Sequence, residues 1–216
     1  MTKKQLINHF MILCLFVTQS IIVYIVLGQG LHIMLAWNAF LAFIPLVFIF
    51  LYHLYGKNKY YKWGLFILWL LFYPNSIYLI TDLIYINQES FMQDQGMYQG
   101  FIYLKDFKVY LGFLHIFLGA MYGVLTALVS FKYFYHHFDK RMIRISFFIG
   151  IPILVSIAVY IGRFLRFNSW DILSPVKVVV GLLNDLSVFS IYYVILFSLI
   201  QYIIFGVFML FSKKLI

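Results

Sequence analysis

Two short runs hold most of the residues that could do chemistry. GRFLRFNSWD (162–171) brings Arg163, Arg166, Asn168, Trp170 and Asp171 to the end of one apolar segment, and FYPNSIYLITD (72–82) brings Asn75, Tyr78 and Asp82 to the end of another. Arginine suits bidentate capture of a phosphate or carboxylate. Asparagine and tyrosine can orient such a group by hydrogen bonding. A carboxylate such as Asp82, or an imidazole such as His115, is a candidate base if its surroundings tune its proton affinity. Together they could recognise, and process, an anionic group. Arg163 and Arg166 would clamp it, Asp82 or His115 would be the base, and Asn38, Asn75 and Asp171 would orient it. Two plainer readings stand beside this one. The arginines could snorkel to lipid head groups, or Asp82 and Arg163 could form a salt bridge that only holds helices together.

The spacing favours convergence. Asn75, Tyr78 and Asp82 are spaced i, i+3, i+7 and share one helix face, and Arg163, Arg166 and Trp170 do the same. Counted from Lys62 and Arg144 at the other end of their segments, Asp82 and Arg163 both lie about 30 Å along the helix axis. Asn38, Asn75 and His115 fall about 10 Å below that level, on three different segments. Pro74 has no N–H and disfavours helical geometry at Tyr73, so a kink is expected there. It would free a carbonyl near Leu70 for a polar neighbour.

The elements that must position these residues are membrane spans. The chain has 216 residues, 64% hydrophobic and only 11% charged, against roughly a quarter charged in soluble domains. Apolar runs of about 20 residues, the length that crosses the hydrocarbon core, occur at 6–27, 31–54, 63–86, 107–135, 142–165 and 187–212. The expected fold is all-α: a polytopic membrane helix bundle of about six transmembrane helices in a single domain, 1–216. The N-terminal run is too long for a signal peptide and lacks an A-x-A-like site, so it is read as a retained span. Eleven of the 16 basic residues fall in the N-terminal, second-to-third, fourth-to-fifth and C-terminal connections. The positive-inside rule then puts both termini in the cytoplasm.

Residues 171–186 are apolar but too short to span. Ser174 as N-cap and Pro175 at the first helical position predict a short interfacial or re-entrant helix. The connection 87–106 is polar and is expected outside. Trp37, Trp63 and Trp170 sit where interfacial tryptophans belong. Gly112, Gly119 and Gly123 line one helix face, a signal for close helix contact within the bundle or, second, in a homodimer. Pro45, Pro74 and Pro152 fall inside spans.

The net charge of +9 is dispersed in short clusters, which points to anionic lipid rather than nucleic acid. The lone Cys14 allows no disulfide or cysteine metal site and reads as a small buried hydrophobe. His136-His137 reads as part of a solvated aromatic belt. No metal or cofactor motif is present.

AWNAFLAFIPL (36–46), LWLLFYPNSIYLITDL (68–83) and GRFLRFNSWD (162–171) resemble the motifs of a bacterial membrane family catalogued as domain of unknown function 1361. The match in order and spacing covers nearly the whole chain. The resemblance implies a bacterial multi-pass protein of the cell membrane. Its motif positions are Trp37, Asn38, Pro74, Asn75, Tyr78, Thr81, Asp82, Gly162, Arg163, Arg166, Asn168, Ser169, Trp170 and Asp171. An aromatic–acid pair of the family is represented only by Asp106. The resemblance implies no reaction. Three functions follow as expectations. One is an outward-facing pocket for an anionic lipid head group or lipid-linked envelope precursor. Another is an assembly or scaffolding subunit with a membrane protein partner, and the third is a small transporter.

Overall fold

In the computed structural model the chain folds as a bundle in which six helices are long and apolar enough to cross a membrane. The structure describes residues 1–56, 58–88, 91–94, 100–138, 140–167, 171 and 173–212. Helix α1 runs Lys3–Leu27 and α2 Leu31–Tyr55. The third span, Lys59–Ile86, comprises α3 (Lys59–Phe72), α4 (Pro74–Thr81) and the start of a 3-10 segment (Asp82–Gln88). Helix α5 is Phe107–His137 and α6 Arg141–Phe164. A short α7 (Pro175–Asn184) precedes the last span, α8 (Val188–Ser212). With six long helices in succession, the start of α1 and the end of α8 lie at one end of the bundle; the opposite end is called the far end below. This is a multi-pass membrane architecture, and its span limits agree with the apolar runs to within a few residues.

The ends of the helices are set by local chemistry. Thr2 caps α1 with a reciprocal Thr2–Gln5 capping box, and Gly28 closes it at φ 72°, a left-handed conformation that glycine adopts without strain. Asp106 caps α5 by accepting from the Lys108 N–H at 2.9 Å. Ser174 precedes α7 as expected, but its hydroxyl makes no capping bond; its carbonyl accepts from Lys177 instead (3.0 Å). The connection after the third span carries a feature that the polar composition did not announce. Met92–Asp94 and Phe101–Tyr103 (β1 and β2) pair antiparallel, Gln93 opposite Ile102.

Helices α2, α4 and α5 form the centre. Helix α2 packs against α1, α3, α4 and α5, and α4 lies between α2 and α6 with α5 behind it. Gly123 makes the α4–α5 contact possible. A Cβ there would stand 2.5 Å from the Ser76 carbonyl oxygen and 2.7 Å from the Leu79 Cβ. A Cβ at Gly119 would stand 3.1 Å from the Phe16 ring. The glycine face therefore packs inside the bundle. In the half nearer the termini the core is aromatic: Trp69, fully buried, contacts Tyr73, Phe134 and Phe147, and its indole donates to Ser130 (2.6 Å).

Pro74 divides the third span, yet Tyr73 stays helical at φ −56°, ψ −38°, against the expectation for a residue before proline. Tyr73 is completely buried against Trp69, and that packing holds it there. At the break the Asn75 amide donates to the Phe72 carbonyl (3.0 Å). Ser76 bridges to α2 by donating to the Ala42 carbonyl (3.0 Å). Cys14 lies on the exposed flank of α1, not in the core where a small hydrophobe was expected. Its neighbour Leu13 takes the inward position.

Candidate functional site

At the far end, the 3-10 segment begins at Asp82 and turns its carboxylate back into the bundle. Asp82 is fully buried, and each of its oxygens has a partner. Arg163 Nη2 of α6 pairs with Oδ1 at 2.5 Å, and Asn38 Nδ2 of α2 donates to Oδ2 at 3.0 Å. Three elements thus meet on one carboxylate. An unpaired charge here would cost several kcal/mol, so burial demands this company.

Arg163 is committed to protein groups. Its Nε donates to Thr81 Oγ1 at 3.0 Å, its Nη2 reaches Thr81 as well as Asp82, and its Nη1 donates to the Tyr85 hydroxyl at 3.2 Å. The guanidinium lies over the Tyr78 ring (4.4 Å to the centroid) and near that of Tyr85 (5.6 Å). Four of its five N–H donors are directed at the protein, a locking arrangement rather than an open clamp.

Beside this lock is a cleft of about 270 Å³. Its walls come from α2 (Trp37, Asn38, Leu41), α3 and α4 (Phe72, Asn75, Tyr78) and α6 (Ala158, Val159, Gly162), with Phe167 and Val178 of α7 above. The walls are mainly apolar, with polar groups from three residues. Asn38 spends one N–H on Asp82, and its carbonyl accepts no bond among the described residues. The Tyr78 ring is held by Arg163, while its hydroxyl makes no hydrogen bond among the described residues. Asn75 faces the same space. Pro74 lines the cleft too, where the third span breaks.

The remaining residues singled out from sequence fall in different places. Arg166 is exposed and left-handed (φ 59°), just past the end of α6. The chain turns there, so that the Phe167 N–H points back to the Ile161 carbonyl (3.4 Å). Asp171 opens the turn into α7, its carbonyl accepting from the Ser174 N–H at 2.9 Å. Asn168, Ser169 and Trp170 lie outside the described residues.

His115 does not join the cleft. It sits on α5 against α1 and α2, fully buried, with its ring stacked on Phe16 (4.9 Å between centroids, 5° between planes). Ser20 Oγ donates to the Phe16 carbonyl at 2.8 Å, so its oxygen accepts from His115 Nε2–H, also at 2.8 Å. His115 Nδ1 is then bare and accepts from Nδ1–H of His32 at 2.9 Å. This pattern satisfies every atom but one: His32 Nε2 is buried without a partner among the described residues. Asn38 and His32 are both on α2, six residues apart, hence about 120° apart around its axis. Equal depth therefore led to two separate clusters on different flanks of one helix.

Sequence reasoning overlooked Ser20, His32 and Tyr85 as polar partners. His32 is the second residue of α2, where a polar side chain at a span end draws no notice, Ser20 is the sort of hydroxyl that usually bonds to its own helix, and Tyr85 is one of 18 tyrosines. It also overlooked a third polar joint, where Gln201 and Ser198 of α8 donate to Ser156 of α6 (2.8 and 3.0 Å). Among the described residues no three His, Cys, Asp or Glu side chains are grouped to hold a metal.

No curated protein and no solved structure matches the chain. A family model, described as Protein of unknown function (DUF1361), matches residues 37–204. The matched stretch begins at Trp37 on the rim of the cleft and takes in every residue that lines it, together with Asp82, Arg163 and His115; Ser20 and His32 lie ahead of it. The match covers most of the length, and the chain belongs to the DUF1361 family.

Proposed function

We propose that the cleft binds part of an anionic amphiphile taken from the outer leaflet of a bacterial cell membrane, with both termini in the cytoplasm. The apolar portion lies along Trp37, Leu41, Phe72 and Val159. A hydroxyl, ester or amide at its polar junction pairs with the Asn38 carbonyl and the Tyr78 hydroxyl. The anionic group stays at the rim, within reach of exposed Arg166 and Lys177. Asp82 and Arg163 hold Asn38 and Tyr78 in place and do not themselves meet the ligand. One observation carries this reading: a mainly apolar cleft is lined by Asn38 and Tyr78, whose side-chain carbonyl and hydroxyl make no hydrogen bond among the described residues. A site with apolar walls and a few placed polar groups is the usual form of a small-ligand pocket.

Native mass spectrometry of the protein purified in mild detergent tests it. The wild-type chain is expected to carry an anionic lipid. Ala158→Phe, which fills the cleft, should lower the bound fraction about tenfold, equivalent to ~1.4 kcal/mol. Equal retention by Ala158→Phe would remove the cleft from consideration.

A second reading, an assembly subunit of a cell-envelope complex, draws on the commitment of Arg163 to protein groups and on the hairpin side chains Phe101 and Tyr103, 70% and 72% exposed. Crosslinking from Tyr103 at native expression separates the two. A defined protein adduct supports assembly, and lipid adducts alone argue against it.

A further inference from the structure

Helix α7 is unlike the other helices. None of its residues is buried, and it meets the bundle through half-buried Val178, Gly181 and Leu182. Its opposite face is apolar and open: Val176, Val180 and Leu183 are 75%, 48% and 63% exposed, with Leu173 and Leu186 alongside. Its two polar side chains, Lys177 and Asn184, are seven residues apart and share a single face between these two. Helix α7 joins the far ends of α6 and α8, both long enough to cross a membrane, at the level where a bilayer surface would fall. At that level, a helix with bundle on one side, apolar residues on the other and a polar stripe between fits the surface of a lipid monolayer. The nearby cations Arg166 and Lys177 make an anionic monolayer the better match.

The same helix controls the roof of the cleft. A Cβ at Gly181 would stand 3.0 Å from the Phe167 ring, and Lys177 Nζ lies 5.5 Å from the centroid of that ring. Phe167 is therefore held between α7 and the cleft that it lines. Resting on the cleft reading above, we infer that α7 is a roof seated in anionic lipid: the monolayer holds α7, and α7 holds Phe167 over the cleft.

The test uses the full chain in a Cys14→Ala background, reconstituted in vesicles of phosphatidylcholine and phosphatidylglycerol. A nitrobenzoxadiazole label on Val180→Cys should emit at the blue-shifted wavelength of a lipid environment and be quenched by brominated acyl chains. The same label on Asn184→Cys should emit as in water. Water-like, unquenched emission from position 180 would overturn the seating of α7. The roof is tested separately, without any ligand, by the reaction of Ala158→Cys with a membrane-impermeant maleimide. Gly181→Val, which displaces Phe167, should speed the reaction about tenfold, and all-phosphatidylcholine vesicles should speed it about fivefold, as expected for ~1 kcal/mol from Lys177, the one basic residue of α7. Unchanged rates in both arms would overturn the roof. If the label and maleimide results hold while the wild-type protein carries no lipid, the roof stands and the amphiphile reading fails.

Discussion

The carboxylate cluster at Asp82 and the imidazole cluster at His115 are built from similar materials and differ in what surrounds them. Both join three elements and both bury polar atoms completely. The histidine cluster is closed: Phe16 covers the ring of His115, and Ser20 and His32 use both of its nitrogens. The carboxylate cluster is closed at its centre but borders an open cleft, where Asn38 and Tyr78 keep capacity to spare. In lipid, polar side chains must find one another. Whether the result is a joint or a site depends on whether volume lies next to it. Here the volume comes from the backbone. Pro74 breaks the third span beside the cleft, and the left-handed turn at Arg166 swings Phe167 over it.

The sharpest way to break this comparison is to remove a charge. Asp82→Ala leaves Arg163 buried beside two tyrosine rings without a counter-ion, and it frees Asn38. A loss of about 3–5 kcal/mol in unfolding free energy is expected. Thermal or denaturant unfolding in detergent would measure it, and lipid retention should fall in parallel. A small effect would mean that the pair contributes little and that Asn38 is positioned by something else.

Gly123→Ala comes next. The methyl would collide with the Ser76 carbonyl, so α4 and α5 must separate, at a cost of about 1–3 kcal/mol. Helix α4 carries Tyr78 and α5 carries His115, so both clusters should loosen together. A stability loss without any loss of lipid retention would show that the cleft is insulated from this contact.

His115→Phe sharpens the contrast. It preserves the stack on Phe16 but leaves His32 Nδ1–H without an acceptor, at about 1–2 kcal/mol. Stability should fall while lipid retention stays at the wild-type level. Loss of retention would tie the histidines to the cleft after all.

The smallest expected effect is from Arg166→Gly. Removing the side chain relieves the left-handed backbone, worth up to about 1 kcal/mol, so stability should rise slightly. Retention of anionic lipid should nonetheless drop, because a rim cation is gone. Retention unchanged within error would assign the anionic group to Lys177 alone.

Much of this was legible from residue types. Six apolar runs fixed six crossings, because backbone polar groups in hydrocarbon can be satisfied locally only by helices. The i, i+3, i+7 spacing put Tyr78 and Asp82 on one face, and equal depth brought Asp82 to Arg163. The same depth argument failed for His115. Depth is a distance along the axis and carries no azimuth; without knowing which flank of α2 faces α5, it could not separate His32 from Asn38. The Asp82–Arg163 bridge was among the expected readings, but the further commitment of Arg163 was hidden for a similar reason, since Tyr85, and Thr81 as a motif position without a role, reveal nothing until the 3-10 turn folds them around a guanidinium.

By itself the amino-acid sequence determined the membrane class, the number of crossings, the short helix before the last span and the level at which charges gather, because each follows from hydrophobic length and helical period. Only the tertiary structure decided that the polar residues divide into a closed joint and a lock beside an open cleft, and that Phe167 roofs that cleft. Those outcomes depend on how helices are rotated against one another and where their backbones break, and contacts between residues distant in the chain set both.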